Sequence, residues 1–280
     1  MTNLTLKNYQ NILFPYAYNI LGSVEDAKDA IQDVLIKHLS INKDHIENDI
    51  GYLVKSVINQ SINIKKRRSK ITSNRLWLPE PLSTETADNN IDSEEIISYS
   101  ILVLLEKLTA SERAVFILKE AFDYPHKDIA KTIDITIENS RKLLSRGKTK
   151  LANYQTTNLS YSAPLPSYME SYIQTIKNGD MKRLEKMLSE DISLHADGGE
   201  NIKVVRELTV GKSASLKLLF YVYKTYLELL SIKITQINHQ PALLFYNKDI
   251  LINCQVFDFE NNKIKSIFSI VDPNKLKLLF

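Results

Sequence analysis

Residues 124–150, YPHKDIAKTIDITIENSRKLLSRGKTK, leave the chain little choice of local structure. Ile129, Ala130 and Ile133 recur at the spacing that fills one inner stripe of a short helix, and Ala130 is small enough for a second helix to cross close by. Asp134 and Ile135 then make a turn. Thr136 stands where an N-cap belongs, its hydroxyl placed to take an orphan amide of a helix running from residue 137 to about residue 151. On that helix Ile137, Leu143 or Leu144, and Leu151 face inward. Arg141, Lys142, Arg146, Lys148 and Lys150 gather on and beyond the outer face, with no acidic residue between Glu138 and the end of the helix. Two short helices joined by a tight turn form a helix-turn-helix pattern, and a basic outer face suits a polyanion. On periodicity alone, a solvated amphipathic helix closing a helical domain is the alternative.

The segment before it is helical too. Thr109 with Glu112 three residues later is a capping box, followed by Ala114, Val115, Ile117 and Leu118 as an apolar stripe. From Tyr9 to Leu21 the apolar positions keep helical spacing up to Gly22, with Pro15 expected to kink the helix or to begin it anew. Ser23 and Asp26 open a second helix whose inner stripe is Ala27, Ala30, Ile31, Val34, Leu35 and Leu39. Asp26, Asp29 and Asp33 fall on its outer face beside Gln32. A third helix, from Asp49 to about Lys66, has Leu53, Val57, Ile58, Ser61, Ile62 and Ile64 inside and Asn59, Gln60 and Asn63 outside. It runs into Lys65, Lys66, Arg67 and Arg68, where amides for base edges sit beside guanidinium groups for phosphates. The formal net charge is only +3, so any nucleic-acid role must come from such local clusters.

These helical residues resemble a known family. LLEKLTASERAVFILKEAFDYPHKDIAKTIDITIENSRKLLSRGKTKL resembles region 4 of the sigma-70 family in its extracytoplasmic-function (ECF) branch, and AYNILGSVEDAKDAIQDVLIKHL resembles region 2 of the same branch. The resemblance implies that Asp26, Asp29, Gln32 and Asp33 dock on the clamp helices of core RNA polymerase. It implies that Asn59, Asn63, Lys66, Arg67 and Arg68 meet the minus-10 element of promoter DNA. Thr136, Asn139, Arg141, Lys142 and Arg146 would meet the minus-35 element.

WLPEPL, residues 77–82, begins a proline-marked and then polar linker, and it is also similar to a signature of the ECF subgroup with a fused SnoaL-like domain. The rest of the chain agrees with that. After a second linker over residues 153–166, Met169, Tyr172, Ile173 and Ile176 form one helix face, Asn178-Gly179-Asp180 breaks it, and Met181, Leu184, Met187 and Leu188 form another. Strand-like stretches follow at 192–196, 202–206, 231–237, 242–246, 250–259 and 264–271, interrupted by a helix over 213–230, with Asn261-Asn262 as a turn. This is an α+β arrangement around a curved antiparallel sheet. NGDMKRLEKMLSEDISLHADGG, NHQPALLFY and SIFSIVDPNKL resemble the fused NTF2-like domain, with Glu200 and Asp272 as departures from its pattern. The expected order is multidomain: region 2 over residues 1–75, a linker over 76–95, region 4 over 96–155 (both all-α), and an NTF2-like regulatory domain over 161–280. Trp77, Pro79, Pro81, Asp197, Gly198 and Gly199 are the expected interdomain residues.

Enzymatic and metal chemistry find little support. His195 and Asp197 lie two apart on one strand face and could form an acid–base pair, but a loop histidine beside Asp-Gly-Gly is more simply structural. The single Cys254 excludes an internal disulfide and reads as a buried small hydrophobe. No P-loop, dinucleotide fingerprint or metal-ligand spacing occurs, so no cofactor and no catalytic residue is expected. Without an h-region or a long apolar run, a cytoplasmic protein free of the membrane is expected. The reading is a sigma factor that binds core polymerase and promoter DNA, regulated in cis by its C-terminal domain, whose pocket could take a small ligand. Its rivals are a helix-turn-helix regulator acting without polymerase, and a sensor or enzyme centred on the C-terminal pocket.

Overall fold

The computed structural model describes residues 6–41, 46, 48–69, 77–85, 93–151, 166–200, 202–204 and 208–279. It divides into two compact units: residues 1–74, 86–97 and 101–159 form the first, and residues 75–85, 98–100 and 160–280 the second. The expected succession of helical region and sheet domain is therefore present. Residues 77–85, expected as a spacer, instead belong with the C-terminal domain.

Helices α1 (Leu6–Leu21), α2 (Val24–Leu39) and α3 (Asp49–Ser69) begin the first unit. Pro15 lies inside α1, and the helix neither ends nor restarts there. Proline forfeits one helical N–H, so the Asn11 carbonyl loses its usual donor while the apolar face continues to Leu21. Gly22 (φ 70°) stops the helix, and the Ser23 hydroxyl accepts the Asp26 amide to start α2. The inner stripe of α2 is Ala27, Ala30, Ile31, Val34, Leu35 and His38; Leu39 was expected there but is exposed. Residue 38 follows 31 and 34 in helical phase, whereas residue 39 lies a further 100° round. Leu53, Val57, Ile58, Ser61 and Ile62 of α3 are buried as expected, while Ile64 is half-buried.

Helices α4 (Tyr99–Leu105), α5 (Ala110–Glu120), α6 (His126–Ile133) and α7 (Ile137–Leu151) follow. The Thr109–Glu112 capping box is formed in both directions. Tyr16 of α1 stacks on Phe122, with centroids 4.2 Å apart, and its hydroxyl lies 3.3 Å from that of Tyr124.

In the second unit, α8 (Pro166–Lys177) and α9 (Met181–Met187) precede a six-stranded sheet. Pro166, read as the end of a linker, opens α8; residues 152–165 lie outside the described residues. The strands are β1 (Leu188–Asp197), β2 (Thr209–Val210), β3 (Ser231–Ile237), β4 (Gln240–Asn247), β5 (Ile250–Glu260) and β6 (Lys263–Ile270), in the order β2-β1-β6-β5-β4-β3. The sheet is mixed: β1 pairs with β6 in parallel, and the other pairs are antiparallel. Three expectations are corrected here. Met181 is exposed and Leu188 begins β1. The strand expected over 202–206 is absent from its described part, residues 202–204, because Ile202 folds back to donate to the Gly198 carbonyl; the strand is at 209–210. The helix expected over 213–230 is α10 (Lys212–Val222) and a π-turn, Tyr223–Leu227.

Hairpin turns at Asn238-His239 and Asn261-Asn262 hold all four residues at positive φ, the twist that two-residue hairpins favour. One sheet face, with Leu194, Leu243, Phe245, Phe257 and Ile267, packs on Met169, Tyr172 and Ile176 of α8 and on Leu216 and Leu219 of α10. A short helix, α11 (Pro273–Leu276), capped by Asp272, follows β6 and runs into a 3-10 turn at Lys277–Leu279.

Candidate nucleic-acid and polymerase interface

The turn between α6 and α7 forms as the residues require. Asp134 takes the left-handed conformation (φ 54°), Ile135 donates back to Ala130, and the Thr136 hydroxyl accepts the Asn139 amide at 3.1 Å. His126 Nδ1 lies 2.9 Å from the buried Ser140 hydroxyl, tying α6 to α7. Burial first, then the charges of Arg141, Lys119 and Lys148, hold His126 below its ordinary pKa, so the imidazole there is neutral at pH 7. Two of the five expected cations are committed elsewhere: Lys148 pairs with Glu120 at 2.9 Å and Lys150 with Glu112 at 2.6 Å. Arg141, Lys142 and Arg146 are exposed, and among the described residues no carboxylate pairs with them. Thr136 and Asn139 are exposed beside them.

On α2, Asp29, Gln32 and Asp33 are exposed. Asp26, expected on the same open face, is half-buried and paired with Arg68 at 2.8 Å. Burial raises its pKa while the Arg68 charge opposes the rise. Asp33 accepts the Gln60 amide at 3.0 Å. On α3, Asn63, Lys66 and Arg67 are exposed, but Asn59, expected outside, is half-buried and donates to the Thr132 carbonyl of α6 at 2.7 Å and to Lys55 at 2.9 Å. A helix phase places an amide on a face; only the packing of α6 decides whether that face meets solvent.

A polar cluster that the sequence reading missed joins α1 and α3 to the turn before α5. Lys65 Nζ donates to both Glu106 carboxylate oxygens at 2.8 Å and to the Leu21 carbonyl at 3.1 Å. Arg113, fully buried, donates through Nη1 to Glu106 and through Nε to the Asn19 carbonyl at 3.0 Å. The Asn19 side chain bonds the backbone of Glu95 and Ile97. Burial would raise the Glu106 pKa, but Arg113 and Lys65 outweigh it and hold the carboxyl below its ordinary range.

In the second unit Asp197 gathers the expected interdomain residues. Its Oδ2 accepts the Leu78 amide at 2.9 Å and the Lys275 ammonium at 2.6 Å, and its Oδ1 accepts the Gly199 amide at 2.9 Å. Lys275 also donates to the Leu78 carbonyl and lies 4.5 Å from the centre of the Trp77 ring. Pro79 and Pro81 are buried, and the Pro79 carbonyl accepts the Tyr99 hydroxyl at 2.7 Å. Gly199 (φ 60°) abuts the Asp272 carboxylate, which any β-carbon would overlap, and one on Gly198 would overlap the Ile202 carbonyl.

The Asn238–Gln240 turn takes hold of the same segment twice. Leu82 and Asn238 exchange bonds, His239 donates to the Thr84 hydroxyl, and the Gln240 side chain bonds both the amide and the hydroxyl of Ser100. His195 does not meet Asp197 as an acid–base pair: its Nε2 lies 3.1 Å from the Ser193 hydroxyl, and Asp197 is committed to Lys275 and backbone amides. Cys254 is buried in β5, and burial pushes its thiol far up. The interior pocket, lined by Tyr172, Leu219, Tyr223, Leu243, Phe245 and Gln255 among others, is closed down to about 20 Å³, space for one water.

A helix-turn-helix with an open basic face, a helical domain before it and an α+β domain after it make up the class of architecture: two helical modules followed by a sheet domain. Comparison with known proteins agrees: residues 98–151 match the family model for Sigma-70, region 4. The chain is 22% identical to a probable ECF RNA polymerase sigma factor, SigI, of Mycobacterium tuberculosis, over 94% of this chain and 91% of that one. It is 25% identical to the ECF RNA polymerase sigma factor SigJ of the same organism over 66% of this chain and 61% of that one. The crystal structure of M. tuberculosis SigJ shares the fold, with a TM-score of 0.76 at 17% identity over 98% of this chain and 97% of that one. The chain thus carries a sigma-70 region 4 over residues 98–151, is similar to ECF sigma factors along most of its length, and shares the fold of SigJ, its C-terminal sheet domain included.

Proposed function

We propose that the chain binds core RNA polymerase through the acidic face of α2 and directs it to promoters through α3 and α7. The observation that carries this reading is the open trio Arg141, Lys142 and Arg146 on the second helix of the region 4 helix-turn-helix. Thr136 and Asn139 flank the trio, Asn63, Lys66 and Arg67 serve the minus-10 element, and Asp29, Gln32 and Asp33 serve the polymerase. Asn59 and Arg68 join the minus-10 group, and Asp26 the docking group, once their internal partners are exchanged. The C-terminal domain acts as a regulatory element in cis: it grips the chain between the two helical domains, holding Leu78 through Asp197 and Lys275, Leu82 and Thr84 through Asn238 and His239, and Ser100 through Gln240. No catalytic role is proposed for it: the acid–base pair expected of His195 and Asp197 does not form. No described helix is long and apolar enough to cross a membrane. As a promoter-directing subunit the chain would work on the chromosome, in the cytoplasm.

The test is transcription from selected promoter DNA with purified core polymerase and the full chain. Promoter-specific initiation that fails on charge reversal of Asp29 and Asp33, with melting unchanged, is the expected result. Sequence-specific DNA binding without any association with core would instead establish a regulator that acts alone.

A further inference from the structure

We propose that Lys65 is a DNA-backbone contact held in reserve: its ammonium is occupied by Glu106 in the first unit and is released to a promoter phosphate when the two helical domains separate. This rests on the polymerase and promoter reading above. Lys65 opens the basic run Lys65-Lys66-Arg67-Arg68 at the end of α3. Lys66 and Arg67 are exposed, whereas the Lys65 side chain is only 12% exposed, with its ammonium on the Glu106 carboxylate and the Leu21 carbonyl. Leu21 belongs to α1, packed against α3 within the same domain. Glu106 lies in the turn between α4 and α5, in the other.

One carboxylate there serves two cations. Arginine keeps its proton in proteins, so Lys65 is the member that gains by leaving. Burial first, and the Arg113 charge next, push Lys65 down to about 7, a penalty that an ammonium on an exposed phosphate escapes.

The geometry also requires the two domains to part. Asn59 of α3 touches Thr132 of α6 at 2.7 Å, so both DNA-facing domains lie in one compact unit of 145 residues, for which a radius of gyration of roughly 15 Å is expected. Elements at minus 10 and minus 35 lie about 25 base pairs apart, roughly 85 Å along B-DNA. Engaging both withdraws Glu106 from Lys65 and completes the basic run.

The test uses the full chain with purified core polymerase, comparing wild type, Lys65→Met and Glu106→Gln. Core affinity is measured, together with the salt dependence of holoenzyme binding to promoter duplex. Lys65→Met should lower the magnitude of the salt slope by about 0.9, the share of one phosphate contact. Glu106→Gln should leave the slope unchanged and tighten core binding roughly fivefold or more, because two buried cations lose their carboxylate and the closed arrangement weakens. An unchanged slope in Lys65→Met would overturn the proposal, as would unchanged core affinity in a folded Glu106→Gln protein. If Glu106→Gln does not fold, the slope of Lys65→Met decides alone. A wild-type chain that does not bind core would overturn the functional reading, and this proposal with it.

Discussion

Asp197→Ala should loosen the second unit at the point where residues 77–82 are gripped. The substitution removes one carboxylate but strands three groups: the buried Lys275 ammonium and the Leu78 and Gly199 amides. Removing one partner of a buried ion pair costs about 3–5 kcal/mol, because the remaining charge keeps its desolvation penalty without its compensation. Against a domain stability of roughly 5–15 kcal/mol this is a large loss, and at about 4 °C per kcal/mol it lowers the melting temperature by roughly 12–20 °C. The chain contains a single tryptophan, and the Lys275 ammonium lies over its ring, so the emission of Trp77 reports on this site during thermal denaturation of the full chain. Lys275→Met completes a double-mutant cycle. With the cation gone the carboxylate retains only its amide donors, and the coupling between the two positions should be at least about 2 kcal/mol. Melting of Asp197→Ala within about 2 °C of wild type, with Trp77 emission unmoved, would refute the argument that this carboxylate holds the segment.

Three further outcomes are expected. Alanine at Arg141, Lys142 and Arg146 together should reduce the salt slope of minus-35 duplex binding by up to about 2.7, with each phosphate contact supplying about 0.9 and base-reading contacts costing sequence preference instead. Burial raises the Asp258 pKa from 3.8 to about 6, against the opposing hydrogen bonds of Ser100 and Gln240, so the folded form favours the protonated acid. The stability this contributes is full below pH 4 and lost as pH rises through about 6, on the order of 2–3 kcal/mol, and urea unfolding of Asp258→Asn should lack that window. Gly199→Ala should destabilise the second unit well beyond Gly179→Ala in thermal melts: both glycines have positive φ, but a β-carbon meets the Asp272 carboxylate at the first and open space at the second.

The parts of this molecule legible in its sequence are those set by neighbours a few residues apart. The α6–α7 turn followed from Asp134, Thr136 and a 3.6-residue period, and the capping box followed from Thr109 and Glu112. The exposed trio on α7 followed from the same periodicity. What escaped is set by groups far apart in the chain. Asn59 was assigned to an open face and meets a carbonyl 73 positions later, and Lys65 and Glu106 meet across 41. Asp26 and Arg68 were given to two different partners, yet here they are each other's. The parallel pairing of β1 with β6 leaves no trace in alternation, because a strand's period is the same in either direction. Lys275 was passed over because nothing local marks a lysine near the C-terminus as the partner of an aspartate 78 positions earlier.

The grip of the Asn238–Gln240 turn also sets the length of a tether. Fully stretched, the chain from Ser69 at the end of α3 to Ser100 in α4 reaches roughly 105 Å, more than the roughly 85 Å between the two promoter elements. Because Leu82 and Thr84 on one side and Ser100 on the other are fastened to the same three-residue turn, the residues between them add nothing to the distance the chain can span while both ends stay fastened. Only the stretch from Ser69 to Thr84 then spans distance, roughly 50 Å. On the proposed reading, the grip roughly halves the tether that joins the two promoter-binding domains. Residues inserted after Glu85 should add nothing to promoter output, whereas the same insert after Ser69 should raise it; equal effects at both places would show that the grip does not hold in the working protein.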